Sequence, residues 1–213
     1  MIKHVLMDVD HTLYPRSSGV EGAMVVRINK FVGEYLGVSA EEAARMRAER
    51  PAGVYASTLD WLQRKYGFTD IYAYFRAIHP TKFWEHFPKN SELILMLDKL
   101  KVPCSIYTNS WANHALNVMD YLEITPFFRK IYDLPFCHFI GKPDPRSFRY
   151  VLEDLKLEPS EVLLADDAPD TIIAYTKIGG KGVLVDENLK PRQNFPAPII
   201  KEITQLTQFT ELF

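Results

Sequence analysis

Cysteine is scarce in this sequence: Cys104 and Cys137 are the only two, and neither has the spacing of a metal-ligand set. So small a number argues against a disulfide framework and predicts two reduced thiols in the core. Long apolar runs are missing too, since none approaches the roughly 18 residues of a membrane helix. Asp8 comes too early to leave room for the apolar region of a secretory signal. We therefore expect a cytoplasmic protein with no membrane partner.

An excess of basic charge is also absent, because 25 lysines and arginines face 27 aspartates and glutamates, for a formal net charge of −2 at pH 7. This balance gives no electrostatic reason to expect a nucleic-acid polymer as partner. Internal repeats, low-complexity tracts and long Gly/Ser linkers are missing as well. Hydrophobic residues make up 47% of the chain. They suffice for a substantial core, in one domain with an insertion or in two small domains.

The stretch from 20 to 80 has the apolar spacing of amphipathic helices throughout. Gly37 is expected to end a first helix, and the capping-box sequence "SAEE", which begins at Ser39, to open a second. The segments "STLDWLQRKYG" and "TDIYAYFRAIHP" predict two more helices, ended by Gly67 and Pro80. The sequence thus predicts a module of four helices.

From residue 90 onward, helical and strand-like segments alternate. The predicted strands are "PCSIYT", "KIYDL", "EVLLA" and "GVLV", and "IKHVLM" near the N-terminus supplies another. Such alternation is typical of a parallel sheet with crossover helices. We predict a doubly wound α/β core, residues 1–15 and 88–213, interrupted by the inserted four-helix module at 16–87. Ligands in such sheets bind at the carboxyl ends of the strands.

Two aspartates follow the first predicted strand. Strand alternation points Asp8 and Asp10 to the same side, where their charges repel. Such a pair needs a cation, a shared proton or open water, and a divalent metal with oxygen ligands is the natural compensation. The alternative is that Asp10 caps the next turn with help from Thr12, while Asp8 is solvated at the strand end.

Further polar groups follow other predicted strands. Thr108 and Asn109 come after "SIY", and Asp166 and Asp167 come at the end of "EVLLA". Lys142, in "GKPDP", lies on a loop from which it reaches the same edge of the sheet, unless it is a simple surface lysine. Carboxylates, a hydroxyl and an ammonium group together suit a phosphate ester and Mg²⁺.

The segments "DVDHTL", "YTNS", "GKPDP" and "LLADDAPDTIIA" resemble, in order, the four motifs of the haloacid dehalogenase superfamily of phosphotransferases. The resemblance implies a Rossmann-like core and a Mg²⁺ cofactor. It implies that Asp8 is the nucleophile, forming an aspartyl phosphate, and that Asp10 is the general acid and base, with its backbone carbonyl on the metal. Thr108 would donate a hydrogen bond to the phosphoryl group, and Lys142 would neutralise its developing charge.

The resemblance leaves the other metal ligands open between two registers. One uses the adjacent pair Asp166 and Asp167, and the other uses Asp166 with Asp170. Gly179 lies twelve residues after Asp167, which matches the family's spacing from ligand to glycine. Asp167 is therefore the first choice and Asp166 the second, with Asp170 as a cap of the following helix.

The helical insertion resembles the first cap type of the superfamily and implies a small-molecule substrate. The segments "DVDHTLYP" and "YASTLDWLQRKYG" are most similar to the pyrimidine 5'-nucleotidase group, although Ala56 and Ser57 depart from its pattern. Asp10, which the hydrolytic dehalogenases lack, favours phosphoester over carbon–halogen chemistry. The candidate substrate contacts are Asn109, His11, Arg16, Ser17, Ser18, Arg50, Tyr55 and Thr58.

The sequence therefore predicts a Mg²⁺-dependent phosphomonoesterase that acts on a nucleoside 5'-monophosphate such as UMP or CMP. One alternative is a phosphatase for another small phosphate ester, such as a sugar phosphate. A phosphomutase, which returns the phosphoryl group to the substrate, is another. The last alternative is a non-catalytic regulatory protein that binds a nucleotide.

Overall fold

The computed structural model describes residues 1–51, 53–55, 57–209 and 212. Six strands in these ranges form one sheet, in the order β3-β2-β1-β4-β5-β6, and all neighbouring strands are parallel. The strands are β1 (His4–Met7), β2 (Cys104–Tyr107), β3 (Phe128–Tyr132), β4 (Val162–Asp166), β5 (Lys181–Val185) and β6 (Ile199–Ile200). The predicted α/β class with a doubly wound parallel sheet is confirmed.

Eight α-helices lie in the described ranges. They are α1 (Val20–Leu36), α2 (Ala40–Ala48), α3 (Thr58–Tyr66), α4 (Ile71–Ile78), α5 (Ser91–Lys99), α6 (Ala112–Tyr121), α7 (Pro145–Leu155) and α8 (Pro169–Lys177). Every residue of β1, β2 and β4 is buried, as expected for parallel strands covered on both faces. None of these helices is long and apolar enough to cross a membrane.

The chain divides into two compact units, a core unit of Met1–Ser18 with Phe83–Phe213 and a helical unit of Gly19–Lys82. The core unit includes residues that the sequence assigned to the helical insertion at 16–87. Near its second boundary, Phe83 and Phe87 lie against Tyr121, with ring centroids 6.1 and 5.5 Å away. That aromatic packing ties residues 83–87 to the sheet-bearing unit.

The helical unit contains α1 to α4, and α1 packs against α2 and α4. The predicted helix boundaries have the expected chemistry, because Ser39 accepts a hydrogen bond from the backbone of Glu42 at the start of α2. Gly37 and Gly67 end α1 and α3 with positive φ angles of 71° and 68°, which L side chains rarely adopt. Whether this unit serves as a cap stays a prediction.

The order of strands fixes where a ligand site can form. From β1 the chain continues to β2 and β3 on one side, then returns to β4 on the other, so the order reverses beside β1. Met7 of β1 pairs with Ile106 on one side and Ala165 on the other. The residues that follow these three positions therefore meet at one edge of the sheet, which is where the sequence concentrates its acidic and hydroxyl groups.

Cys104 and Cys137 are both free and buried in the core unit. Burial raises the pKa of Cys104 to about 12 and that of Cys137 to about 11, since an apolar environment disfavours a thiolate. The prediction of two reduced core cysteines is confirmed.

Candidate active site

Three strand ends supply the acidic residues and the threonine of the candidate site. Asp8 follows β1 and its backbone N–H donates to the carbonyl of Ala165 at 2.9 Å, which extends the β1–β4 pairing by one residue. Asp166 is the last residue of β4. Thr108 follows β2 and is buried. The backbone of the parallel sheet, rather than loop flexibility, therefore sets the spacing of these groups.

Lys142 is the positive centre of the site. Its Nζ lies 2.6 Å from Oδ2 of Asp166 and 3.1 Å from Oδ1 of Asp8, and it donates to the carbonyl of Tyr107 at 2.7 Å. The side chain is only 3% exposed. The alternative that Lys142 is a surface lysine is therefore wrong. The "GKPDP" loop directs its side chain inward, toward the edge of the sheet.

Asn109 holds the loop that carries Lys142. Its Oδ1 accepts from the backbone N–H of Lys142 at 2.7 Å, and its Nδ2 donates to the carbonyl of the same residue at 2.9 Å. The amide thus fixes both backbone groups of Lys142. A contact of Asn109 with substrate stays a prediction, since the contacts in this structure are with the loop.

Gly141 permits the close approach of Asn109 to the loop, so Gly141→Ala is expected to lower the free energy of unfolding by about 1 to 3 kcal/mol. An added Cβ would lie 2.7 Å from Oδ1 of Asn109, closer than real contacts allow. The amide cannot move away without breaking its two hydrogen bonds to Lys142. Urea unfolding of both proteins measures the change.

Gly22→Ala is the matched control, because a Cβ there meets no atom of the described residues within 4 Å and Ala is a better helix former than Gly in α1. This variant is expected to equal or exceed the wild-type stability. Equal stability of Gly141→Ala and wild type would contradict the packing argument.

Asp8, Asp166 and Asp167 form the carboxylate cluster, in which one oxygen from each residue lies within 4.8 Å of the others. Burial raises the pKa of Asp8 above its ordinary range, and the neighbouring acids add to this effect while Lys142 opposes it. Burial likewise raises the pKa of Asp166. The pKa of Lys142 is raised although burial alone would lower it, because Asp166 and Asp8 stabilise its charge.

The carboxylate cluster fits a divalent cation with a preference for oxygen ligands, such as Mg²⁺. The single positive charge of Lys142 lies against two carboxylates of the cluster, those of Asp8 and Asp166. Asp166 and Asp167 both lie in the cluster, whereas Asp170 is exposed in the first turn of α8. The expectation that Asp170 caps this helix is wrong, because the helix begins at Pro169 and its N-cap is Ala168.

Asp10 is held outside the carboxylate cluster by three side-chain donors. Its Oδ2 accepts from Oγ of Ser110 at 2.7 Å, and its Oδ1 contacts Nε2 of His114 at 2.6 Å and accepts from the hydroxyl of Tyr14. Burial alone would raise the pKa of Asp10, but the charge and hydrogen bond of His114, with those of Tyr14 and Ser110, hold it below its ordinary range. These side-chain partners replace the backbone cap considered as the alternative role of this carboxylate.

Sequence reasoning missed these three donors. Ser110 lies two positions after Thr108, and His114 lies in the first turn of α6, where a side chain points back toward the helix N-terminus and the sheet edge. Tyr14 follows Asp10 by one helical turn. These spacings could have flagged the residues, although nothing in the sequence identifies their common partner.

Arg16 and His11 surround Asp167. A guanidinium nitrogen of Arg16 lies 2.6 Å from Oδ2 of Asp167, and Nδ1 of His11 lies 3.4 Å from the same oxygen. The backbone N–H of Ser17 donates to a carboxylate oxygen of Glu187 at 2.9 Å. A cavity of about 280 Å³ opens beside them and is lined by His11, Arg16, Asp167 and Glu187 together with charged residues such as Lys190 and Arg192. Ser18 is half-buried beside Ser17, and contacts of these residues with substrate stay predictions.

The remaining substrate candidates lie in the helical unit. Arg50 donates to Oγ1 of Thr58 at 3.2 Å and lies over the ring of Trp61, and the Arg64 guanidinium lies over the ring of Tyr55. Ser57 caps α3, whereas Ala56 is outside the described residues. Substrate contacts of Arg50, Tyr55 and Thr58 stay predictions.

The chain is similar to known hydrolases. A family model described as a haloacid dehalogenase-like hydrolase matches residues 2–179. The chain is 30% identical over 159 residues to phosphate metabolism protein 8 of Saccharomyces cerevisiae, a match that covers 68% of this chain and 49% of that protein. It is 29% identical over 91 residues to validoxylamine A 7'-phosphate phosphatase of Streptomyces hygroscopicus subsp. limoneus, covering 41% of each.

The chain thus spans half or less of the length of these two curated relatives. Among solved structures, the crystal structure of a HAD phosphatase from Thermococcus onnurineus aligns with a TM-score of 0.67 and 18% identity, over 99% of both chains. At that identity, the structural similarity is evidence of a common fold.

Proposed function

Because this chain belongs to the haloacid dehalogenase-like hydrolase family, we propose that it is a Mg²⁺-dependent phosphomonoesterase. The observation that carries the proposal is the arrangement around Asp8, a buried carboxylate 3.1 Å from the Lys142 ammonium and within the carboxylate cluster. A buried nucleophile beside a fixed cation suits attack on an anionic phosphoryl group.

In the first step, an oxygen of Asp8 attacks phosphorus while the bond from phosphorus to the leaving oxygen breaks. The product is an aspartyl phosphate and a free alcohol. Lys142 favours the ionised form of Asp8, and the hydroxyl of Thr108 donates to a phosphoryl oxygen. Mg²⁺ held by Asp8, Asp166 and Asp167, with the backbone carbonyl of Asp10, would offset the repulsion between the two anions.

Asp10 supplies the proton chemistry of both steps. It gives a proton to the leaving oxygen as that oxygen departs, and it then takes a proton from the water that attacks the aspartyl phosphate. Hydrolysis releases inorganic phosphate and returns Asp8 to its carboxylate form. Asp10 also supports phosphoester chemistry over carbon–halogen cleavage, which needs no protonated leaving oxygen.

The proposal extends to the substrate and the helical insertion. The helical unit, Gly19–Lys82, serves as a cap that excludes bulk water, and the substrate is a nucleoside monophosphate, with a pyrimidine base preferred. Arg50, Tyr55 and Thr58 contact the substrate from this insertion. The charged cavity near Asp167 supports a small polar substrate. Two free, buried cysteines support a reducing compartment, the cytoplasm.

A second candidate is a phosphatase for another small phosphate ester, such as a sugar phosphate. The relative from Streptomyces, named for validoxylamine A 7'-phosphate, favours this candidate. A phosphomutase and a non-catalytic nucleotide-binding protein are the further alternatives. They differ from the proposal in that neither one releases phosphate as its main product.

Phosphate release from a panel of nucleoside monophosphates and sugar phosphates tests the proposal. Removing Mg²⁺ with a chelator is expected to lower release at least about a hundredfold, because a bound metal ion supplies several kcal/mol of transition-state stabilisation. Added Mg²⁺ should restore the rate. UMP and CMP are expected to be turned over faster than any sugar phosphate.

Each alternative predicts its own result in this panel. Equal turnover of sugar phosphates would remove the nucleotide preference, and isomerised phosphate esters without free phosphate would indicate a mutase. Tight nucleotide binding without turnover would indicate a regulatory protein. Metal-independent release at the full rate would contradict the proposed chemistry.

A further inference from the structure

The three donors on Asp10 come from three different segments of the core unit. Tyr14 follows β1, Ser110 follows β2, and His114 belongs to α6, so we call them the donor trio. Because an ionised carboxylate can only accept, Nε2 of His114 carries the proton in its contact with Asp10. One carboxylate therefore receives three hydrogen bonds from side chains that the proposed chemistry leaves unused.

Packing fixes the donors before any substrate binds. The ring of Tyr14 stacks on Phe87 at a centroid distance of 4.5 Å, with 14° between the ring planes. The side chain of His114 is completely buried, and its ring centroid lies 5.8 Å from that of Phe83. Both aromatic donors are thus held in place by the core. Their hydrogen bonds to Asp10 therefore cost little further conformational entropy.

Ser110 connects Asp10 to the rest of the site. Its backbone N–H donates to Oγ1 of Thr108 at 3.0 Å, and its carbonyl accepts from the backbone of Leu134 at 3.3 Å. The loop that carries the proposed phosphoryl donor Thr108 therefore also carries one donor to Asp10. The two groups are aligned by the same backbone.

The hydrogen bonds divide unequally between the two oxygens of Asp10. Among the described residues, Oδ1 has two partners, Tyr14 and His114, whereas Oδ2 has only Ser110. A carboxylate offers about four lone-pair sites, so the described contacts use three and leave one on Oδ2. The Asp10 side chain is 23% exposed, so the core does not close over it completely.

The geometry points to the donor trio as positioning residues: Tyr14, Ser110 and His114 orient Asp10 so that Oδ2 exchanges the proton with the leaving oxygen and with water. This inference rests on the proposed phosphatase function and adds to it the residues that orient the Asp10 carboxyl group. In the first step Asp10 passes to the leaving oxygen a proton that Oδ2 has taken up from solvent, and the carboxylate that remains accepts hydrogen bonds from all three donors. In the second step Oδ2 regains a proton from the attacking water.

The dependence of kcat/KM on the leaving group tests the inference, since kcat/KM reports the step in which the leaving oxygen departs. A good leaving group such as 4-nitrophenolate needs no acid, whereas an alkoxide does. For His114→Leu, kcat/KM is expected to fall about ten- to a hundredfold on alkyl phosphates, within the range of general acid catalysis. On 4-nitrophenyl phosphate the loss should stay below about threefold, because the acid contributes little there.

Two further variants separate positioning from folding. His114→Gln keeps an N–H donor in nearly the same place and should recover part of the alkyl phosphate activity. Val118→Ala shortens a buried side chain one turn further along α6, and should lower the thermal stability while leaving the leaving-group dependence unchanged. If His114 had a merely structural role, its substitution would instead lower kcat/KM equally for alkyl phosphates and for 4-nitrophenyl phosphate.

Ser110→Ala and Tyr14→Phe keep the test decisive if His114→Leu does not fold. Each removes one donor at nearly constant volume. As for His114→Leu, kcat/KM is expected to fall more for alkyl phosphates than for 4-nitrophenyl phosphate. Folded variants with the wild-type dependence would overturn the inference and leave the proposed function intact. Wild-type protein that releases no phosphate from any ester would instead overturn the proposed function, and this inference with it.

Discussion

Asp8→Asn is expected to abolish phosphate release, with a loss of about 10⁴-fold or more, as for removal of other covalent nucleophiles. The amide has nearly the shape of the carboxylate but lacks its negative charge and does not attack phosphorus. The fold should persist, because Lys142 keeps its 2.6 Å ion pair with Asp166. Release of phosphate under single-turnover conditions measures the loss, and thermal unfolding checks the fold.

Asp167→Asn is the matched control for the loss of charge in the carboxylate cluster. It removes a carboxylate of the same cluster but not the nucleophile. We expect a smaller loss that excess Mg²⁺ partly restores, since a weakened metal site fills again at higher concentration. Excess Mg²⁺ should not restore Asp8→Asn. Turnover of Asp8→Asn at the wild-type rate would reject Asp8 as the nucleophile.

Much of the fold could be predicted because the signals are local. Gly37 and Gly67 end helices in left-handed conformations that glycine favours, and apolar strand segments alternate with helices in the order of a doubly wound sheet. The strand β6 was missed, since two residues are too short to show a period of two. The division near residue 87 falls elsewhere because Phe83 and Phe87 pack against Tyr121 of the core unit.

The proximity of Asp8, Asp166 and Lys142 could also be predicted from the sequence, because a parallel sheet brings the carboxyl ends of its strands to one edge. The partners of Asp10 could not be predicted, because Ser110 lies on a loop and His114 on a helix, and strand order does not dictate where these side chains point. The same holds for Arg16, which lies 151 positions from Asp167. Side-chain directions on loops decide such contacts, and residue type and spacing alone do not encode them.

Lys142→Met is expected to lower activity at least about a thousandfold and the free energy of unfolding by about 3 kcal/mol. Methionine has a similar length but no charge, so Asp8 and Asp166 remain buried without a counter-charge. Removing one member of a buried ion pair is strongly destabilising for this reason, and losing a charge at the transferred phosphoryl group removes transition-state stabilisation. Urea unfolding in the presence of a chelator and phosphate release with Mg²⁺ measure the two effects.

A double variant separates the two roles of Lys142. In Lys142→Met combined with Asp166→Asn, the buried 2.6 Å ion pair loses both charges, and stability should recover toward wild type because less uncompensated charge is buried. Activity should not recover, since Asp8 still lacks the ammonium group at 3.1 Å. Recovery of both properties would mean that Lys142 serves only to neutralise Asp166. Wild-type stability and turnover of the single variant would contradict the central position of this lysine in the buried charge network.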